Sequence, residues 1–270
     1  MAISDRWSDS DPDILVQERL AKLEKANQEL SRRNLALEGI NRILSIAVQD
    51  KTEEEFGNEC LSVALEVTGS QLGFVNLVGD DGLLHDIAIS DMGWKECLMY
   101  DKTGHRRPPG NFLVHGLYGH VIHSEKSFFT NDPMSHPDSV GIPDGHPLLT
   151  SFLGVPLSLD GKVVGMLGVA NREGGYKQEQ QADLEAITPA IIQSLHKIKS
   201  ELRRKLLEKK ASESRKLFTA FMDNSPVIAW MKNEQGRYVY LNKIHENRFN
   251  VWLKDWKGKT DFEVWPLKTA

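Results

Sequence analysis

Residues that could bind a metal ion, a haem or a polar ligand are concentrated in one stretch of the chain. Residues 91–156 contain six of the nine histidines and Cys97, one of only two cysteines. Thiolate and imidazole groups are the side chains that suit haem iron or zinc. The candidate cofactor-binding residues are therefore Cys97, His120, His136 and His146.

The same stretch has the composition of a pocket wall. It contains seven of the eleven prolines, and those at 133, 137, 143 and 147 prevent a long helix. Its aromatic residues indicate that it is packed, so we predict that it lines a ligand pocket. Arg106 either clamps a carboxylate or phosphate group or is a solvated loop charge. The predicted lining residues are Trp94, Arg106, Phe112, Tyr118, Phe129 and Phe152.

The spacing of these residues favours binding over catalysis. No CxxC or HExxH spacing is present, so the sequence predicts no metal site. No nucleophile–base pair has an interpretable spacing either, so we expect no catalytic residue and no enzymatic activity. The alternatives are a pocket that carries out cysteine- or metal-dependent chemistry and a purely structural dimerisation spacer.

Composition limits the partners and the compartment. The chain has 270 residues, a net charge of −5 and two distant cysteines. These values predict no general attraction to nucleic acid and fit a reducing compartment. The N-terminus is unlike a signal peptide, and no apolar run approaches the roughly 18 residues of a membrane helix. We therefore expect a cytoplasmic protein with no membrane or nucleic-acid partner.

A heptad repeat begins at Val16. Leucine or valine occupies each d position (16, 23, 30, 37 and 44), and asparagine occupies three consecutive a positions (27, 34 and 41) after Leu20. Arg19 can pair with Glu24, and Arg33 with Glu38, between neighbouring helices. This pattern is typical of a parallel two-stranded coiled coil. It predicts a homodimer, and the alternative is a single amphipathic helix on a domain surface.

The remaining elements predict an α+β fold with an antiparallel sheet. A helix is expected at about 53–67, hairpins at 72–89 and 151–173, and a long helix from about Gln178. Buried Cys60 is expected to behave as a small apolar residue. Two further strands are expected at 227–232 and 237–242. The sheet is predicted to carry its helices on one face.

Residues about 40–200 resemble a GAF domain of the kind found in bacterial and archaeal sensor histidine kinases, including those of methanogens. The segments that carry the resemblance are Pro108–Phe112, Gly116–Gly119, Ser127–Pro133, Ser135–Asp138, Gly145–Pro147, Phe152–Pro156 and Asn171–Tyr176. The tail resembles the first half of a PAS domain through Phe221–Pro226, Gly236–Asn242 and Gly258–Asp261. It is expected to be poorly packed or swapped between subunits.

The resemblance implies a sensory input region of a two-component system. The expected organisation is a polar leader (1–13), a coiled-coil signalling helix (14–50), a GAF domain (51–195), a linker helix (196–220) and half of a PAS domain (221–270). A small ligand would bind in the pocket, and dimeric helices would pass the signal to a kinase or response regulator outside this chain.

The sequence does not identify the ligand. Some methanogen relatives of this kind look like haem-based redox sensors that use a cysteine and a histidine, which makes haem a candidate cofactor held by Cys97 and His146. The cyclic-nucleotide pattern is matched only in part by Asn171, Arg172, Tyr176 and Asp183. A bilin site needs histidine after the cysteine, whereas Leu98 follows Cys97.

Overall fold

The chain forms two compact units, residues 1–199 and 200–270. The computed structural model describes residues 12–49, 51–90, 113–142 and 146–265. The elements of the first unit are α1 (Pro12–Ile46), α2 (Glu53–Thr68), β1 (Leu72–Val78), β2 (Leu84–Ile89), α3 (Gly116–Ser124), β3 (Phe128–Thr130), β4 (Phe152–Leu159) and β5 (Lys162–Ala170). Helix α4 (Gln178–Asp223) begins in this unit.

The first unit is built on a five-stranded antiparallel sheet with the strand order β2-β1-β5-β4-β3. Helices α1, α2 and the first part of α4 supply the residues of the main core, which includes Ile43, Phe56, Leu184 and Ile187. Helix α3 packs against the opposite side of the sheet through Leu117 and Val121. The predicted α+β architecture is confirmed, and α3 adds a cover on the second sheet face.

Local signals explain where the elements begin and end. Thr52 and Glu55 form a capping box at the start of α2, and Gly69 ends that helix in a left-handed conformation. The two-residue turn Asp160-Gly161 joins β4 to β5, as its sequence predicts. Strand β3 was not predicted, because three residues in a proline-rich segment leave no readable alternation.

Helix α1 presents two different stripes along its length. Ala36, Gly39, Ile43 and Ala47 are buried against the domain, where Gly39 lies so close to Val63 that an added Cβ would be 2.5 Å from its Cγ1. The large apolar residues at the heptad positions stay 47–66 % exposed: Val16, Leu20, Leu23, Leu30, Leu37 and Leu44. The heptad stripe is therefore separate from the stripe that attaches α1 to its own domain.

Hydrogen bonds tie the loop after β3 to the segment before α4. The Asn131 amide donates to the Tyr176 carbonyl (3.0 Å), and the Tyr176 N–H donates to Asn131 Oδ1 (2.7 Å). Arg172 donates to the carbonyls of Thr68 and Gly175 (3.0 and 2.6 Å). These bonds anchor the loop that carries His136 to the rigid part of the domain.

The second unit has a small aromatic core of its own. It contains β6 (Trp230–Lys232), β7 (Tyr238–Leu241), α5 (Lys243–Phe249), α6 (Leu253–Trp256) and α7 (Asp261–Val264). Tyr238, Leu241 and Trp256 are buried together, while Phe221, Trp230 and Phe262 stay more than half exposed. The expectation that this segment is poorly packed or swapped stays a prediction. Within the described residues, no helix has the length and apolarity needed to cross a membrane.

The two stripes of α1 predict different losses of folding stability for two Ile→Ala substitutions. Ile43→Ala should lower the free energy of unfolding by about 2–4 kcal/mol, because it leaves a cavity in the main core. Ile14→Ala, on the same helix at a position that is 55 % exposed, should change it by less than about 0.5 kcal/mol. Chemical denaturation followed by circular dichroism measures both, and equal losses would contradict the attachment of α1.

Candidate functional site

The side of the sheet that faces α3, called here the α3 face, combines apolar and polar side chains. Strand register defines it, because residues directly opposite each other in an antiparallel pair point to the same side. Asn76 is opposite Asp86 on β2 and opposite Met166 on β5. Met166 packs with Phe152 and Val121, so Asn76 and Asp86 share this face.

Aromatic rings fill one end of the α3 face. The Tyr118 ring lies 4.9 Å from that of Phe74 and 6.1 Å from that of Phe152, measured between centroids. Gly154 lets α3 approach β4, since an added Cβ would lie only 2.6 Å from Val121 Cγ2. The helix is therefore seated directly on the sheet, and Tyr118 is held over it.

The same α3 face also has unmet hydrogen-bonding capacity. Asn76 is 2 % exposed, and neither its Oδ1 nor Asp86 Oδ2 has a hydrogen-bond partner within the described structure. Burial raises the pKa of Asp86 to about 7, and the charge of His85 opposes this only weakly. Burial and the negative charge of Asp86 raise the pKa of Tyr118 to about 12. Two buried acceptor oxygens are thus without a donor among the described residues.

A second feature is a surface cleft between α3 and the loop after β3. It has a volume of about 560 Å³ and is lined by His115, Gly116, Gly119, His120, His123, Ser124, Pro137, Asp138, Ser139 and Val140. Gly116 has a φ of +62°, and Val140 Cγ2 would lie 3.0 Å from a Cβ at this position. A glycine here allows the loop to close against the start of α3.

The cleft brings together side chains from two segments of the chain. His120 Nδ1 donates to Asp138 Oδ2 at 2.6 Å, and His136 Nδ1 lies 4.0 Å from the same oxygen. The rings of His120 and His136 have centroids 5.3 Å apart, and both contact the ring of Phe128.

The structure places some of the predicted site residues close together and others on different sides of the sheet. His120, which lines the cleft, lies beside His136, and Tyr118 lies beside Phe152 on the α3 face. Phe129 packs against the main core, on the opposite side of the sheet. Its neighbour Phe128 occupies the α3 face instead, because successive strand residues alternate.

The haem hypothesis is not tested by the described residues. His146 does not line the cleft; its Nδ1 donates to the Pro147 carbonyl at 2.8 Å, which leaves the lone pair on Nε2. Cys97, the proposed thiolate, lies outside the described residues, as do Trp94, Arg106 and Phe112. Haem therefore stays a prediction.

Three residues of these sites were not identified from the sequence: Asn76, Asp86 and Asp138. Asn76 had a readable signal, since it is the one polar residue of the apolar strand 72–78, whereas Asp86 follows His85 in its strand and is less distinctive. Asp138 had none, because its partner His120 is 18 positions away and the contact depends on tertiary structure.

Comparison with known proteins identifies the fold of the first unit. The profile of the GAF domain family matches residues 50–196. The chain belongs to the GAF domain family. The GAF domain predicted from the sequence is thereby confirmed, whereas the PAS assignment of the tail stays a prediction.

Individual relatives share the GAF domain at low identity. A methyl sulfide methyltransferase-associated sensor of Methanosarcina acetivorans is 29 % identical over 137 residues, which cover 50 % of this chain and 13 % of that sensor. The GAF domain of a phosphoenolpyruvate-protein phosphotransferase from Coxiella burnetii is 19 % identical, with a TM-score of 0.49 over 63 % of this chain and 95 % of that one.

One expectation drawn from the sequence is wrong. We expected this chain, as it stands, to be non-enzymatic, but the solved structures to which it is similar include enzymes with the GAF fold. A free methionine-R-sulfoxide reductase from Neisseria meningitidis, solved with its substrate, aligns with 15 % identity and a TM-score of 0.48 over 62 % of this chain and 91 % of that one.

The raised pKa of Asp86 predicts a defined pH dependence. Between about pH 4 and pH 7 the unfolded chain releases the Asp86 proton while the folded chain keeps it, so ionisation favours unfolding as pH rises. Asp86→Asn removes this effect. Its stability relative to the wild type should therefore increase by up to about 4 kcal/mol between pH 4 and pH 8.

Denaturation curves at pH 4, 6 and 8 measure this difference. Asp160→Asn, at an exposed turn, is the matched control and should show a nearly constant difference from the wild type. A constant difference for Asp86→Asn as well would show that Asp86 titrates normally in the folded protein.

Proposed function

We propose that the chain is a sensory module whose GAF domain binds a small, hydrogen-bond-donating ligand on the α3 face. The observation that carries the proposal is the pair of buried acceptor oxygens, Asn76 Oδ1 and Asp86 Oδ2, that lack donors within the described structure. A buried acceptor without a partner costs about 1–3 kcal/mol. A ligand that supplies N–H or O–H groups at this point would recover that energy.

The surroundings favour a cationic or N–H donor group. The Asp86 carboxyl, with its pKa of about 7, would be held as a carboxylate by a bound cation. The rings of Phe74 and Tyr118 lie on the same face and offer cation–π contacts. The similarity to the sensor of Methanosarcina acetivorans supports a sensory role for such binding.

Signal transmission is proposed to use a dimer formed by α1. Apolar residues at the heptad positions stay exposed while the other stripe of α1 is buried, which supports a second copy of this chain as the partner. Asparagine at consecutive a positions suits a seam in which each helix meets its own copy. A ligand that binds one helix arrangement more tightly than another would shift their populations.

The second unit is proposed to continue the pathway as the first part of a PAS domain. In this proposal, a kinase or response regulator outside this chain receives the signal. The exposed aromatic residues of the second unit, such as Trp230 and Phe262, support a role in further contacts.

Native mass spectrometry of the gently purified full chain tests ligand binding. The wild type should carry an additional small-molecule mass, and Asn76→Ala/Asp86→Asn should lose it, since the first change removes the Asn76 acceptor and the second replaces the carboxylate by a neutral amide that has only one acceptor oxygen. Asp160→Asn should retain it. An additional mass that the double variant also retains, or no such mass in the wild type, would count against the α3 face as the binding site.

Sedimentation velocity over a concentration series tests the dimer. The wild type should be dimeric at micromolar concentration, and Leu30→Lys/Leu37→Lys should be monomeric because charges replace the apolar seam. Ala21→Lys/Gln28→Lys adds the same charge on the same helix outside the heptad stripe and should stay dimeric. A wild type that is monomeric throughout the series would refute this part of the proposal.

A further inference from the structure

The geometry points to a binding site for a divalent transition-metal ion, formed by His120, His136 and Asp138. One ligand atom from each of these residues can be chosen so that all three lie within 4.8 Å of one another. Adjacent ligand atoms around a tetrahedral zinc ion are about 3.3 Å apart, given zinc–nitrogen bonds of about 2.0 Å. Shifts of about 1 Å in surface side chains would therefore close the site.

The donor set indicates the class of ion. Two imidazoles and one carboxylate suit Zn²⁺, Co²⁺ or Fe²⁺, whereas Ca²⁺ and Mg²⁺ require mostly oxygen ligands. Three protein ligands leave at least one coordination position for water or another small molecule. The cleft of about 560 Å³, which His120 and Asp138 line, provides space for such a molecule.

The structure holds the two imidazoles beside the carboxylate before any ion binds. The Phe128 ring packs edge-on against the His120 ring, with centroids 4.5 Å apart, and its centroid is 5.1 Å from that of the His136 ring. These contacts restrict both histidine rings. The Asp138 N–H donates to His136 Nδ1 at 3.2 Å, and the Ser139 N–H donates to the His136 carbonyl at 2.8 Å. A tight turn thus places His136 and Asp138 side by side.

The hydrogen bond between His120 and Asp138 explains only part of this arrangement. It accounts for one imidazole, whereas the His136 ring accepts the backbone N–H of Asp138 and makes no bond to the Asp138 carboxylate, whose Oδ2 lies 4.0 Å from His136 Nδ1. His123 lines the same cleft one helical turn from His120 and is a candidate fourth ligand. A metal ion would give both imidazoles and the carboxylate a common partner.

His85 provides an internal comparison. It also pairs with a carboxylate, Asp81 Oδ1 at 2.9 Å, on an exposed part of the same unit. Among the described residues, only the cluster at His120 brings three potential ligands together. A single exposed histidine–aspartate pair should bind an ion far more weakly than three convergent ligands.

Isothermal titration of the chelator-treated full chain with Zn²⁺ and with Co²⁺ tests the site. The wild type should bind one ion of either metal per chain, and visible absorption of the Co²⁺ form should show imidazole ligation. His120→Phe keeps a ring against Phe128 and removes the nitrogens. This change and His136→Asn should each weaken binding by about 100-fold or more, and Asp138→Asn by at least about 10-fold.

His85→Ala is the matched control and should leave the affinity unchanged. Circular dichroism of each variant separates loss of ligation from loss of fold, and His136→Asn serves as the second variant if His120→Phe unfolds. The proposal is overturned if the wild type takes up neither ion. It is equally overturned if His120→Phe and His136→Asn, both folded, bind as tightly as the wild type.

Discussion

Alternation of side chains across a five-stranded sheet is the constraint on which this domain depends. Both faces of this sheet are covered by other elements, and the two faces differ in the side chains that they present. One is packed with aliphatic side chains from α1, α2 and α4. The other is covered by the short helix α3 and mixes aromatic rings with Asn76 and Asp86. The aliphatic face supplies stability, and the mixed face is the proposed site of ligand recognition.

The surface cleft between α3 and the loop after β3 also depends on the sheet. Helix α3 is seated on the sheet through Val121 and Gly154, and the loop after β3 is anchored by Asn131 to the backbone of Tyr176. His120 therefore has a fixed position on one side of the cleft, and His136 and Asp138 have one on the other. Phe128 belongs to both sites, since it contacts the two histidine rings and also lies 5.7 Å from the ring of Phe152. If both proposed sites bind a ligand, a displacement of Phe128 is the direct route by which one could affect the other.

Sequence patterns predicted the parts of the fold that depend on local rules. The strand at 72–78 has a short apolar run and the turn Asp160-Gly161 has typical turn residues, and both were found where expected. The buried stripe of α1 was not predicted, because Ala36 and Gly39 are small and the heptad leucines dominate the pattern. The site was predicted only in part: His120 and His136 were named, but Asp86 and Asp138 owe their importance to neighbours that the fold brings near.

The two stripes of α1 also restrict how this domain can be joined to others during evolution. Ile43 is buried and the adjacent Leu44 is exposed, so the rotation of the helix about its own axis is set by its attachment to the domain. Each inserted residue turns the preceding part of an α-helix by about 100°. If the exposed stripe pairs with a second copy, insertions or deletions before Ala36, the first residue of the buried stripe, would preserve the pairing only in steps of seven residues. Other domains could then be joined upstream of this helix through connecting helices whose lengths differ by multiples of seven residues.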